Sequence, residues 1–227
     1  MKSNFFTLQV ALIFGVSGGC RCCELLNMSV DNVEDKGSYM LVSVPDTKTY
    51  VSRSFTIMEE GFAVNVLDIC RKYMSLRPKN ISHNRLFLCY RNEKCTLQPV
   101  GINTLSKIPS VVADFLKLPE SESFTGHSMR RTSASLLSNA GADLGMVQRH
   151  GRWKSTTVAQ AYVEESISSK IDIAKKILGG NSKTEGSVIV NTEKQKSNKC
   201  GNNIEVIQNE ANKVISFNIN VNVNLDK

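Results

Sequence analysis

The apolar positions of this chain change period several times along its length. Phe5 to Val16 is an apolar run interrupted at Gln9, and it predicts a first helix over roughly residues 4–16, ended by Gly18-Gly19. A second short helix is expected from Cys20 to about Asn27, with Leu25, Leu26 and Met28 on its apolar side. Tyr39–Val44 and Thr49–Ile57 are rich in β-branched and aromatic residues, and the Pro45-Asp46 turn signal between them predicts a hairpin with Lys48 at or just past its turn. Helical spacing returns through Val64, Leu67, Cys70 and Met74, predicting a helix over 64–76, then a short strand over 86–89 and a helix over 102–116. Met129, Ala134, Leu136 and Leu137 mark a helix over 127–139 closed by Gly141. Asp143 is placed to cap the next helix, which Gly151 ends near His150; Ser155 or Thr156 caps one carrying Val158, Ala161 and Tyr162. A last helix over 166–178 closes the body. The fold class is mainly α with a small β-hairpin or sheet, α+β.

After Gly179-Gly180 the composition turns to Asn, Lys, Ser and Glu, so 179–213 is expected to be a flexible polar linker. Residues 214–227 then alternate, Ile215, Phe217, Ile219, Val221, Val223 and Leu225 against Ser216, Asn218, Asn220, Asn222 and Asn224, as a half-buried strand does. Such a tail suits strand addition between copies, which makes tail-mediated self-association an expectation.

Composition narrows the class. At 227 residues, 41% hydrophobic and 22% charged, the chain is ordinary for a globular protein and long enough to bury its own core. Lys and Arg number 28 against 21 Asp and Glu, a net charge of +7 that favours polyanionic partners, nucleic acid first. Six lysines and five acids lie after Leu178, so the surplus belongs to the body. Seven cysteines, three of them bunched at Cys20, Cys22 and Cys23, make a poor disulfide framework and point to a reducing compartment. No second close Cys/His pair completes a zinc site around that cluster, and no metal is expected. Lys2, the apolar run and Cys20 have the outline of a lipoprotein leader, but the run flows straight into another amphipathic stretch, which favours a buried first helix. The run is also too short to span a membrane, so no membrane association is expected.

Taken singly, His127, Arg130, Trp153 and Tyr162 are unremarkable: a His-x-x-Arg pair is usually solvated, and an aromatic residue on a helix usually packs. Their order is what carries information. His127-Ser128-Met129-Arg130, Gly141-Ala142-Asp143 and Gly151-Arg152-Trp153 before Tyr162 resemble the catalytic half of the tyrosine recombinases, the phage integrase family. Upstream, Gly19-Cys20-Arg21-Cys22-Cys23-Glu24-Leu25-Leu26 resembles the family's first-arginine helix, and Thr47-Lys48-Thr49 its β-hairpin lysine. Trp153 replaces the commoner histidine and keeps the family's separation, nine residues, from the nucleophile. The glycine that usually stands directly before this position is Gly151, one residue earlier. The wording from Arg152 to Thr157 resembles eukaryotic Crypton-type, transposon-derived members, which implies a nuclear protein.

The resemblance covers residues 1–178 and implies a tyrosine recombinase catalytic-domain fold with Arg21, Lys48, His127, Arg130, Trp153 and Tyr162 as catalytic residues. Glu24 would orient an arginine or histidine of the site, and Arg131, Arg152 and Lys154 would contact DNA. Chemistry agrees with those types. Attack on a phosphodiester adds charge at non-bridging oxygens, which guanidinium forks, a histidine and an indole N–H stabilise. A tyrosine hydroxyl, with a usual pKa of about 10, needs positive charge or a base such as His127 to attack at neutral pH. Lys48 can protonate the leaving 5′ oxygen. The implied partners are double-stranded DNA and further copies of the chain assembled on it, with no cofactor. Family members normally carry a helical DNA-gripping domain ahead of the catalytic one, whereas this chain opens almost at the first-arginine helix; the competing expectation is therefore a transposon-derived DNA-binding protein without catalysis. A small-molecule enzyme or secreted protein follows only from the leader reading.

Overall fold

The computed structural model describes residues 5–44, 53–59 and 64–178, together with the backbone of 208–209 and 214–215. Helix α1 (Phe5–Ser17) is apolar all round and accordingly sits at the centre, with Val10, Ala11 and Phe14 sealed from solvent. It ends in a left-handed glycine cap: Gly19 takes φ +53, its N–H reaches the Val16 carbonyl, and Cys20 N–H reaches back to Gly15 at 2.9 Å. Helix α2 (Cys22–Asn27) begins directly after, two residues later than the apolar pattern predicts, because the cap consumes Cys20 and leaves Arg21 extended at the N-cap.

A three-stranded antiparallel sheet follows, in the order β1 (Val33–Asp35), β2 (Tyr39–Val44), β3 (Arg53–Met58). Strands β2 and β3 pair Met40 with Ile57, Val42 with Phe55 and Val44 with Arg53, so the alternating Met40, Val42, Val44, Phe55 and Ile57 all face the core. The expected hairpin is present as this ladder; its tip, with Lys48, lies outside the described residues. Arg71 of α3 (Val66–Ser75) forks onto the Asp35 carboxylate and so ties that helix to the sheet edge.

A second hairpin, β4 (Leu88–Arg91) and β5 (Lys94–Pro99), turns through Asn92 and Glu93, both at positive φ. The expected strand over 86–89 falls at its start, and β5 was not foreseen. Leu88 anchors it: Thr7 and the Tyr73 hydroxyl both donate to its carbonyl, and its own N–H donates to the Tyr73 oxygen at 2.7 Å. The helix expected over 102–116 is two helices, α4 (Ile102–Ser106) and α5 (Ile108–Phe115), separated at Lys107, with Pro109 in the first turn of the second where its missing N–H costs nothing.

Helices α6 (His127–Asn139), α7 (Leu144–Gly151), α8 (Thr156–Glu165) and α9 (Ile167–Leu178) complete the body. Their punctuation is local: Gly141 at φ +85 ends α6, the Asp143 carboxylate accepts from Met146 N–H at 2.7 Å to start α7, and the Ser155 hydroxyl accepts from Thr157 N–H to start α8. Helix α6 crosses α1 closely, since a Cβ on Gly15 would lie 2.4 Å from the Met129 sulfur. Beyond the body, β6 (Gln208–Asn209) pairs antiparallel with β7 (Val214–Ile215); the rest of the expected tail strand lies outside the described residues. Among the described residues no helix is long and apolar enough to cross a membrane.

Candidate active site

The site is assembled around the two carbonyls of the Gly18-Gly19 cap. Arg53, the first residue of β3, donates from Nη1 to the Gly18 carbonyl, and Arg130, one turn into α6, donates from Nη1 to the Gly19 carbonyl at 2.9 Å. The cap that ends α1 is thus clasped by arginines brought from the sheet and from α6. Glu24, 2% exposed, accepts from the Arg21 backbone N–H at 2.8 Å, from Arg21 Nη1 at 3.0 Å and from Arg53 Nη2 at 2.8 Å. Burial pushes this carboxyl's pKa up, but the Arg21 N–H and the Arg53 guanidinium outweigh it and hold it below the usual value. Glu24 is thus bonded to Arg21 and also to Arg53, a residue with no place in the family resemblance.

Arg130 is the unusual residue. It is 2% exposed, its Nη2 has no partner among the described residues, and its Cζ stands 5.1 Å from the centroid of the Trp153 ring. Burial, with Arg21 as the next cause, lowers its pKa to about 10, leaving it charged at neutral pH. Two guanidiniums that repel each other around an unpaired buried N–H make a cradle for an anion.

His127 opens α6 one turn before Arg130 and on the same face. Its pKa is lowered by burial and then by Arg130, Arg131 and Arg21, so the imidazole is neutral at pH 7 and able to take a proton. Trp153 stacks on Tyr162, with ring centroids 5.3 Å apart and 23° between planes. Its position is fixed by a reciprocal pair with Gln148, backbone N–H to the Gln148 carbonyl and Gln148 Nε2 to the Trp153 carbonyl, and by the bare Gly151 beneath the ring. Burial raises the Tyr162 pKa, opposed by the charge and hydrogen bond of Arg131 and by Arg130. The resting phenol is neutral, with cations beside its oxygen.

Of the ten residues singled out in the sequence, the structure gathers Arg21, Glu24, His127, Arg130, Arg131, Trp153 and Tyr162. Arg131, expected to contact DNA, is half-buried and engaged with Tyr162. Arg152, at φ +47 where it caps α7, lines an open depression of about 410 Å³ with Arg53, Gln148, Arg149 and Trp153, while Lys154 is exposed beside it. Lys48 lies outside the described residues. Two residues beneath the cap escaped notice: Arg53, and His150, which shares a 2.6 Å hydrogen bond with Ser133 and lies against Gly19. Burial, then the charges of Arg53 and Arg130, lower the His150 pKa. The unexpected cation in β3, at the end of an apolar strand face, was the available signal for Arg53. Among the described residues no group of three or more His, Cys, Asp or Glu is placed to hold a metal ion.

The sequence profile of the Phage integrase family matches residues 2–168. No curated protein matches the chain. Among solved structures, the XerH site-specific recombinase in a post-cleavage complex with palindromic difH substrate is similar at 18% identity and TM-score 0.56, covering 73% of this chain and 44% of that one. The XerA recombinase is similar at 20% identity and TM-score 0.56, covering 75% and 56%. The Tn1549 transposon integrase in complex with circular intermediate DNA is similar at 18% identity and TM-score 0.53, covering 74% and 57%. The chain spans about half the length of these structures.

Proposed function

The chain belongs to the phage integrase family, and on that premise we propose that it is a tyrosine recombinase core that breaks and rejoins duplex DNA through a 3′-phosphotyrosyl intermediate. The observation that carries the proposal is the convergence of Arg21 and Arg130, with a buried N–H left unpaired, beside the stacked Trp153 and Tyr162 rings. A scissile phosphate seated between the two guanidiniums supplies the missing acceptor and relieves their repulsion.

In the forward step the Tyr162 oxygen attacks phosphorus, its proton passes to His127, the P–O5′ bond breaks, and the freed 5′ oxygen takes a proton, from Lys48 by the family resemblance. The phosphodiester is conserved as a tyrosyl ester, so a second 5′ hydroxyl attacking the same phosphorus restores DNA and Tyr162 without an external energy source. The dianion-like transition state is held by Arg21 and Arg130, and the Tyr162 pKa, raised by burial, falls as Arg131 and Arg130 settle around the phenolate. Further copies on the same DNA supply the partner strands. The resemblance at residues 152–157 supports a Crypton-type, transposon-derived protein acting in the nucleus.

Nicked suicide duplexes, which lose the 5′ hydroxyl after cleavage, test the proposal. Wild-type chain is expected to give a denaturation-resistant protein–DNA adduct that Tyr162→Phe abolishes while duplex binding persists. Duplex binding without any adduct would favour the DNA-binding reading instead.

A further inference from the structure

Arg53 is absent from the resemblance to known recombinases, yet it is built into the site more firmly than Arg21. Its side chain is 10% exposed and spends its two terminal nitrogens on three groups: Nη1 on the Gly18 carbonyl, Nη2 on Glu24 Oε2 at 2.8 Å and on the Cys20 sulfur at 3.4 Å. Each group belongs to the segment that carries Arg21 and whose carbonyl accepts from Arg130. Gly18 adjoins Gly19, whose carbonyl orients Arg130; Glu24 holds Arg21 by both backbone and side chain; Cys20 lies between them. The Cys20 thiol is sealed in the core, its pKa pushed up to about 12 by burial, so it offers no competing charge. At the other end, Arg53 pairs across the ladder with Val44.

We infer, on the recombinase reading above, that Arg53 is a positioning residue: it fixes the Gly18–Glu24 segment to strand β3, and so sets the spacing of Arg21 and Arg130 around the scissile phosphate. With this fork present the Glu24 carboxylate balances two guanidiniums and is fully bonded. Without it, a buried carboxylate is left with Arg21 alone, the Gly18 carbonyl loses its donor, and Arg21 is drawn toward Glu24 instead of outward. Arg53 is half-buried at the edge of the open depression beside Trp153, both its terminal nitrogens are engaged with protein groups and its one unpaired nitrogen, Nε, is buried, so its effect on DNA runs through Gly18, Cys20 and Glu24. Loss of its fork should therefore slow cleavage much more than it weakens binding.

The test uses the full chain with Arg53→Gln and Arg53→Lys, measuring single-turnover cleavage of a suicide duplex, duplex affinity by anisotropy and melting temperature. Misplacing a catalytic fork by an ångström slows a reaction by about 100-fold, and that loss is expected for Arg53→Gln, with the duplex Kd within about threefold of wild type. Arg53→Lys keeps a charge for Glu24 but cannot also reach Gly18, so its rate is expected between the two, and it serves as the readout should the Gln variant fail to fold. Folded variants that cleave as wild type does, or whose rate and affinity fall in parallel, would overturn the positioning role. A wild-type chain that forms no adduct would overturn the recombinase reading and this inference with it, and is seen before any variant is compared.

Discussion

Gly151→Ala should disable the site without unfolding the protein. Gly151 is buried at the end of α7, and a Cβ there would lie 2.0 Å from Cζ3, 2.2 Å from Cε3 and 2.4 Å from Cη2 of Trp153. Ordinary contact begins at 3.4 Å, so the nearest ring edge must retreat by about 1.4 Å. The indole has little freedom to do so: its backbone is locked to Gln148 in both directions, and its ring stacks on Tyr162 and meets the Arg130 guanidinium. A displacement of that size in a positioning contact slows cleavage by about 100-fold. Stability suffers less, since overpacking of this kind costs about 1–3 kcal/mol. Single-turnover cleavage and a thermal melt, run beside Gly145→Ala, separate the two effects. A Cβ on Gly145 meets the Asp143 carboxylate, held as the α7 cap, at 3.2 Å and the Arg149 guanidinium at 3.3 Å but no atom of Trp153, so that variant crowds the same helix without crowding the ring and is the control. Wild-type cleavage by Gly151→Ala would refute the role given to the Trp153–Tyr162 stack.

Other expectations rest on separate parts of the structure. Cleavage that uses neutral His127 as base should rise with pH through a value below 6.5, the direction in which burial and the three arginines move its pKa, and be level by neutral pH; an inflection above 6.5 would contradict this. The lowered pKa of half-buried His150 means the unfolded chain takes up that proton first, so stability present above pH 6.5 is lost as pH falls below it; the melting temperature should drop between pH 7.5 and 5.5, and His150→Gln should flatten the slope. Tyr73→Phe leaves the buried Leu88 N–H without its acceptor and should cost about 1–3 kcal/mol in chemical denaturation, with under about 0.5 kcal/mol counting against the Leu88 anchor. Duplex affinity should fall steeply from about 50 to about 200 mM salt if phosphate contacts dominate, and a flat response would exclude them.

What could be read from the sequence was local or ordered along it. The caps at Gly141, Asp143 and Ser155 depend on residues within three positions, and they occur where expected. The order of Arg21, His127, Arg130, Trp153 and Tyr162 pointed to one site because a resemblance spans distance that periodicity cannot. Hairpin β4–β5 escaped because Asn92 and Glu93 turn at positive φ without the glycine that usually signals it. The break at Lys107 was hidden inside a continuous apolar pattern. The roles of Arg53 and His150 were not legible, although a cation on the apolar face of β3 marked Arg53: their partners, Gly18, Glu24 and Ser133, lie 35, 29 and 17 residues away, and helical spacing reports only neighbours three or four apart.

Cleavage through a phosphotyrosine depends on which oxygen carries the phosphate. Tyr73 is buried with its hydroxyl bonded to both the N–H and the carbonyl of Leu88, whereas Tyr162 stands among Arg130, Arg131 and Trp153. Tandem mass spectrometry of the adduct trapped on a suicide duplex, after nuclease and protease digestion, is expected to place a 3′-linked nucleotide on Tyr162. A nucleotide found on Tyr50, Tyr73 or any other residue, or linked through its 5′ end, would contradict it.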